Sequence, residues 1–249
     1  MQDFLSELDT ERFGFRVAKI PSDLDNPELV IRNLETLSTK LIIARVDLKN
    51  LVMINRLEKL GFLIKDTQLT FNYNLKDYVP RHKRTGFSIN SFKECYIKQI
   101  IEITEKSFNN YGHYFADEKL DRKKCLDIYI DWIKNCCYKK SFADNIIVAE
   151  KEGKLIGYLA LKTYNNTDSK YTAGVIGAVA KEYRKEGVFQ AINTASMNWA
   201  KSEGSERIEN NVLITNFAVQ NTYLKLKFSI IRSEVTMHYW FESKSKVLE

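Results

Sequence analysis

The residues Arg184-Lys185-Glu186-Gly187 stand between an apolar run that ends at Val179-Ala180 and a segment of helical period beginning at Val188. In such a turn the free N–H groups from Arg184 to Val188 converge on one point, and the helix dipole adds positive potential there. Arg184 and Lys185 bring side-chain charge, and Gly187 lets the backbone come close to a pyrophosphate. On these grounds alone the turn is either an anion cradle or an ordinary helix start. Tyr223, in "NFAVQNTYLKLKF", reads by itself as a packed ring, and His113 in "NNYGHYFADEKL" as a capping or packing residue.

The elements that must hold these residues alternate between the two periods. The period-two stretches are Phe13–Ile20, 41–47, 62–73, 86–89, the hairpin arms "DNIIVAE" and "LIGYLALKTY", 171–180, 207–214 and 233–241. Helical stretches cover Pro27–Lys40, 48–62 with Gly61 as its stop, 91–108, 121–137, 188–202 and 217–226. Residues 75–86 read as a linker and 109–120 as a loop. The expected class is α/β (α+β), a mixed central sheet flanked by helices.

Of the 249 residues, 44% are hydrophobic and 28% charged, which suits a folded globular chain. No apolar run approaches the roughly 20 residues that span a bilayer. The opening Met1-Gln2-Asp3-Phe4-Leu5-Ser6-Glu7 lacks a signal peptide's basic and apolar regions, so the expected location is cytoplasmic. Cys95, Cys125, Cys136 and Cys137 have neither metal-site spacing nor a paired framework, and no metal is expected. The 38 basic and 32 acidic residues give a net charge of +6, spread along the chain. The tight cluster Arg81-His82-Lys83-Arg84 reads as a solvated linker, so neither nucleic acid nor membrane is an expected partner.

Residues 48–73 and 214–239 align without gaps. Asn50 falls on Asn216, Lys59 on Lys225, Leu60 on Leu226, Phe62 on Phe228, Thr70 on Thr236 and Tyr73 on Tyr239. This favours a duplicated helix–turn–strand unit. Leu57 stands where the second copy has Tyr223, and nothing before residue 48 resembles the 184–187 turn. Chemistry is therefore expected in the second half, with the first a worn copy.

With these residues in view, the chain resembles the GNAT superfamily of acyl-CoA-dependent N-acetyltransferases. Arg184-Lys185-Glu186-Gly187-Val188-Phe189 is similar to its Arg/Gln-x-x-Gly-x-Gly/Ala pyrophosphate loop. Asn216 and Tyr223-Leu224-Lys225-Leu226-Lys227-Phe228 are similar to its later Asn-x-x-Ala…Tyr-x-Lys-Leu-Gly-Phe motif, and "IIVAEKEGKLIGYLAL" matches its hairpin. Over "DTERFGFRVAKI", "LIIARVDLKN", "LEKLGFLIKDTQLTF" and "GHYFAD" it resembles the narrower two-domain dTDP-fucosamine acetyltransferase family, which acetylates the 4-amino group of a dTDP-linked 4-amino-4,6-dideoxyhexose. The resemblance implies a degenerate GNAT-like domain over 1–84 and a catalytic domain over 85–249.

It further implies acetyl-CoA between strands 171–180 and 207–214, its pyrophosphate on Arg184, Lys185, Glu186, Gly187, Val188 and Phe189, and its pantetheine on the backbone of Ala178, Val179 and Ala180. Val179 N–H would meet the developing oxyanion. Tyr223 would protonate the departing thiolate, whose conjugate acid has a pKa of about 8.5, and Asn216 would hold cofactor or a water near the sulfur. The small-molecule acceptor, a nucleotide-linked amino sugar, falls to His113, Tyr114 and Asp117, which would bind hydroxyls or relay the amine proton through water, with Phe13 and Gly14 on the nucleotide side. His82 and His238 read as structural, and the resemblance leaves room for a homodimer. Lys185, Phe189 and Lys227 depart from the pattern. Phe189 can turn its ring to the core, whereas Lys227 must take a left-handed C-cap or end its helix otherwise. Rival readings are another amine acceptor (peptide, polyamine or antibiotic) and a GNAT-fold module that only binds.

Overall fold

A computed structural model describes residues 4–81, 85–166 and 169–242. His82, Lys83 and Arg84 of the basic cluster lie outside the described residues. In chain order the first elements are α1 (Glu7–Phe13), β1 (Val17–Ile20), α2 (Pro27–Thr36), β2 (Leu41–Asp47), α3 (Leu51–Lys59), β3 (Leu63–Asn74) and β4 (Ser88–Ser91). There follow α4 (Ile97–Phe108), α5 (Gly112–Phe115), α6 (Arg122–Tyr138), β5 (Asn145–Lys151), β6 (Lys154–Asn165), β7 (Lys170–Val179), α7 (Val188–Ser202), β8 (Arg207–Leu213), α8 (Phe217–Lys225) and β9 (Ser229–Trp240). Among the described residues no helix is long and apolar enough to cross a membrane.

Most boundaries follow local chemistry. Asn26, Asn50 and Asn216 cap α2, α3 and α8 by accepting the N–H three residues on. Glu152 and Gly153, both left-handed, turn β5 into β6. Two segments differ from the sequence reading. Phe13 is the last residue of α1 rather than the first of a strand, because Ser6 and Asp9 brace the helix start and Gly14 (φ 76°) stops it. The 109–120 loop contains the single-turn α5.

The chain forms two compact units, each discontinuous in sequence. One comprises residues 1–68, 112–124 and 233–249, the other 69–111 and 125–232. The expected division at residue 84 follows the linker and the repeat, whereas packing assigns the chain otherwise. In the first unit β1 and β2 run parallel, and β2 pairs antiparallel with β9 from Leu41↔Trp240 to Asp47↔Glu234. Ile42, Ala44 and Val46 meet Ile54, Leu57, Val235 and Met237 in its core. That core is why residues 233–242 group with the N-terminal segment.

In the second unit the strand order is β3-β8-β7-β6-β5-β4, with β7–β8 parallel and β4 to β7 antiparallel. Leu69 and Phe71 of β3 join Met197, Ile208, Tyr223 and Phe228 in one core cluster, which claims the end of that strand. In each unit the strands pair both parallel and antiparallel and carry helices, so the architecture is a mixed sheet flanked by helices, α/β as expected. The repeat is explicit: β2 and β8 have seven residues each, α3 and α8 nine, and β3 and β9 twelve. Burial pushes the Cys136 thiol up to about 12 and Cys137 to about 11, so both stay as unreactive thiols.

Candidate active site

In the second unit the parallel ladder of β7 and β8 runs only from Tyr171↔Arg207 to Gly174↔Asn210, although both strands continue. The last rung is tight: a Cβ at 174 would lie 2.1 Å from Asn210 Oδ1, so the Asn210 side chain would have to shift. Beyond it β7 stays paired to β6 through Val179↔Gly157. Ala180 N–H donates to Ile156 at 2.9 Å. By the alternation of an antiparallel ladder, Val179 between them turns its N–H and C=O to the other edge, where the β8 ladder has ended. Ala178, Val179 and Ala180 therefore flank a gap between parallel strands, with a backbone donor facing into it.

Lys185 (φ 71°) and Gly187 (φ 79°) are both left-handed, and Gly187 is the N-cap of α7 with no side chain satisfying the helix start. A Cβ at Gly187 would meet nothing within 4 Å, so open space lies above it. Arg184 Nε donates to Val179 O at 3.2 Å and its guanidinium reaches Ser107 Oγ at 3.4 Å, fixing the turn to the end of β7. Glu186 is drawn 3.5 Å from Lys151 Nζ. Val188 is buried, and Phe189 turns its ring to Tyr223 in the core, 5.8 Å between centroids. Lys227, the residue after the C-cap Leu226, takes the left-handed conformation (φ 69°).

Tyr223 lies on α8 with only 3% of its surface exposed, its ring against Phe71 (5.1 Å) and Phe228 (5.2 Å). Burial, and secondarily Tyr111, raises its phenol far above the ordinary value, so it keeps its proton and can only donate one. Asn216 Oδ1 accepts from Val219 N at 3.4 Å, the capping role that Asn50 plays in the first copy.

The acceptor residues read from sequence all belong to the first unit. Phe13 stacks on Phe15 (5.8 Å) and meets Tyr114 (5.7 Å), and the Phe13 carbonyl accepts from Lys124 Nζ beside Gly14. Tyr114 OH donates to Asp9, which Lys19 neutralises at 2.5 Å. Burial opposes the Asp9 charge, but Lys19 and the hydrogen bonds outweigh it and hold the carboxyl below its usual range. Asp117 is 1% exposed, and its Oδ2 accepts from His238 Nδ1 (2.6 Å) and Trp240 Nε1 (2.8 Å). His113 Nδ1 lies 2.8 Å from His238 Nε2. Sequence reading left His238 as structural and did not single out Trp240. The available signal was the β9 alternation, which turns Thr236, His238 and Trp240 away from the Val235 and Met237 face. Among the described residues no group of three His, Cys, Asp or Glu side chains is arranged for a metal.

Residues 97–228 match the Acetyltransferase (GNAT) family, and the chain belongs to it. Family membership makes it an N-acetyltransferase, and the family implies acetyl-CoA as donor. Among solved structures, a conserved protein of unknown function from Staphylococcus epidermidis ATCC 12228 superposes with a TM-score of 0.61 at 12% identity, over 97% of this chain and 93% of that one. A GCN5-related N-acetyltransferase from Sphaerobacter thermophilus gives 0.58 at 12%, over 88% and 67%. A tandem GNAT protein from the clavulanic acid biosynthesis pathway gives 0.58 at 11%, over 86% and 68%. At such identities the likeness is one of fold. No curated protein matches the chain.

Proposed function

We propose that this chain acetylates the amino group of a nucleotide-linked 4-amino-4,6-dideoxy sugar. Acetyl-CoA supplies the acetyl group as a thioester. The reading rests chiefly on the end of the β7–β8 ladder at Gly174 and Asn210, which leaves Val179 N–H aimed into the gap beside an uncapped α7. That N–H donates to the thioester carbonyl oxygen as negative charge gathers there. The N–H groups of the turn from Lys185 to Phe189 and the Lys185 charge bind the pyrophosphate, while Arg184, whose own N–H donates to Lys181 O, braces the turn. Tyr223, protonated at any working pH, gives its proton to the leaving sulfur. Asn216 is assigned to holding α8 in register for that transfer.

The sugar assignment rests on the resemblance of the opening segment, the first-half strands and "GHYFAD" to the dTDP-fucosamine acetyltransferases. Phe13, His113, Tyr114 and Asp117 are themselves buried and engaged within the first unit, so the sugar assignment is carried by that resemblance alone. The test is CoA release with acetyl-CoA and a panel of dTDP-linked 4-amino and 3-amino dideoxysugars, with product masses. One 4-amino product heavier by an acetyl group is the expected result. Silence across the panel, with acetyl-CoA still bound and peptide or polyamine amines acetylated, would overturn the sugar assignment while leaving the reaction class.

A further inference from the structure

Inside the second unit, two buried carboxamides stand where apolar side chains are the rule. β8 turns Ile208, Asn210 and Val212 to one face, and Ile208 and Val212 share a core cluster with Met197 and Ala200 of α7. On α7, Asn193 lies four residues from both Phe189 and Met197, so it interrupts the helix stripe that packs on that cluster. Asn193 is fully buried and Asn210 is 3% exposed. Asn193 Nδ2 donates to Phe189 O at 2.9 Å, but its Oδ1 has no partner, and neither polar atom of Asn210 has one.

Unmet groups of this kind lower stability, because each gives up water on folding and gains nothing in exchange. Asn210 forms the last rung of the β7–β8 ladder, and its carboxamide lies across Gly174, with Oδ1 2.1 Å from where a Cβ at 174 would stand. It is therefore at the floor of the gap, on the face that α7 covers. A primary carboxamide with both atoms unengaged presents a donor and an acceptor side by side, which is the complement of a secondary amide. The arm of acyl-CoA carries secondary amides between its thioester and its pyrophosphate.

Resting on the acetyl-transfer reading and on acetyl-CoA as donor, we propose that Asn210 selects the donor by an amide of its arm. The carboxamide turns from above Gly174 toward the gap, where Nδ2 donates to an amide carbonyl and Oδ1 accepts an amide N–H. No side chain at 174 obstructs that movement. Polar atoms that go unmet within the chain itself are met by the arm, so the stability withheld from folding is returned as affinity. Asn193 stays in place, held by Phe189 O, and its Oδ1 keeps the floor polar. Asn210 takes no part in the chemistry assigned to Val179 N–H and Tyr223 and acts as a specificity residue.

Binding to the full chain tests this without turnover. Nitrogen–proton correlation NMR reads the Asn210 side-chain NH2, assigned by its disappearance in Asn210→Leu or by sequential assignment of the native chain. Adding CoA should shift one of its two protons downfield, as a new hydrogen bond requires. ADP, which has the pyrophosphate but no arm, should leave it in place. An NH2 pair that is unmoved at saturating CoA, or that ADP moves equally, overturns the proposal even if no variant folds. Asn210→Leu nearly keeps the volume and removes the amide. Without added donor it should melt no lower than the native chain, while calorimetry should find acetyl-CoA bound roughly tenfold more weakly. Equal affinity in the folded variant overturns the amide role and leaves acetyl transfer untouched. A native chain that binds no acetyl-CoA sinks the acetyl-transfer reading and the role of Asn210 with it.

Discussion

The Tyr223 ring is one face of an aromatic cluster with Phe71, Phe189 and Phe228, so the ring and the phenol make separable contributions. Tyr223→Phe keeps every ring contact and removes only the proton donor. Its expected effect is a fall in kcat of roughly 100- to 1,000-fold with acetyl-CoA affinity kept, read by CoA release and calorimetry. Thermal stability should hold, because the ring still fills its site. Lys227 gives the opposite case, with backbone strain and no chemistry. It occupies a left-handed position at φ 69° where the first copy places Gly61 at φ 96°. A side chain there costs about 1–2 kcal/mol, offset in part by the greater freedom glycine has when unfolded. Lys227→Gly should therefore stabilise the chain by about 0.5–1 kcal/mol, seen in urea unfolding, with kcat unchanged. A loss of stability would mean that the Lys227 side chain contributes packing that outweighs the strain.

At the scale of elements, α2 and α7 begin differently. Asn26 caps α2 and accepts Leu29 N–H at 3.0 Å, with Glu28 in the first turn, whereas α7 begins on Gly187 with no side-chain cap. A helix start that is already capped and acidic has little attraction for a phosphate. Titration calorimetry should find one acetyl-CoA per chain, and Asn26→Ala should cost about 1 kcal/mol of stability without changing that affinity. Two equivalents would refute the asymmetry. The donor side was legible because its signals are local: Val179-Ala180 ends a strand, Gly187 opens a helix, and Asn50 and Asn216 mark equal positions in two copies. The units were not legible in the same way. β9 keeps one apolar alternation through Val235 and Met237, and nothing within it states which core receives those side chains. α1 was hidden because Phe13, Phe15 and Val17 keep period two across a helix stop at Gly14. His238 looked ordinary because its partner Asp117 lies 121 residues away.

For the whole molecule, the buried polar network makes folding sensitive to mild acid. His113 and His238 both have folded pKa values below the ordinary 6.5, burial being the largest cause in each. Above about pH 6.5 both rings are neutral whether the chain is folded or not, and titration adds nothing. Below it the unfolded chain takes up protons that the folded chain refuses, so stability falls as pH drops, by about 1.4 kcal/mol per pH unit for each such proton. Asp117 adds a second window of the same sign. Burial would raise its carboxyl, but the hydrogen bonds from His238 and Trp240 outweigh that and hold it well below 3.8. Its contribution is intact above the unfolded value and is lost only as pH falls below it. The melting temperature should therefore decline in two stages, one beginning near pH 6.5 and one near pH 4. The His113→Gln/His238→Gln double variant should melt lower than the native chain at neutral pH, yet change far less between about pH 6.5 and 5. Melting curves across that range decide it: an equal decline in the double variant would show that other groups carry the acid sensitivity and that the two rings titrate as if exposed.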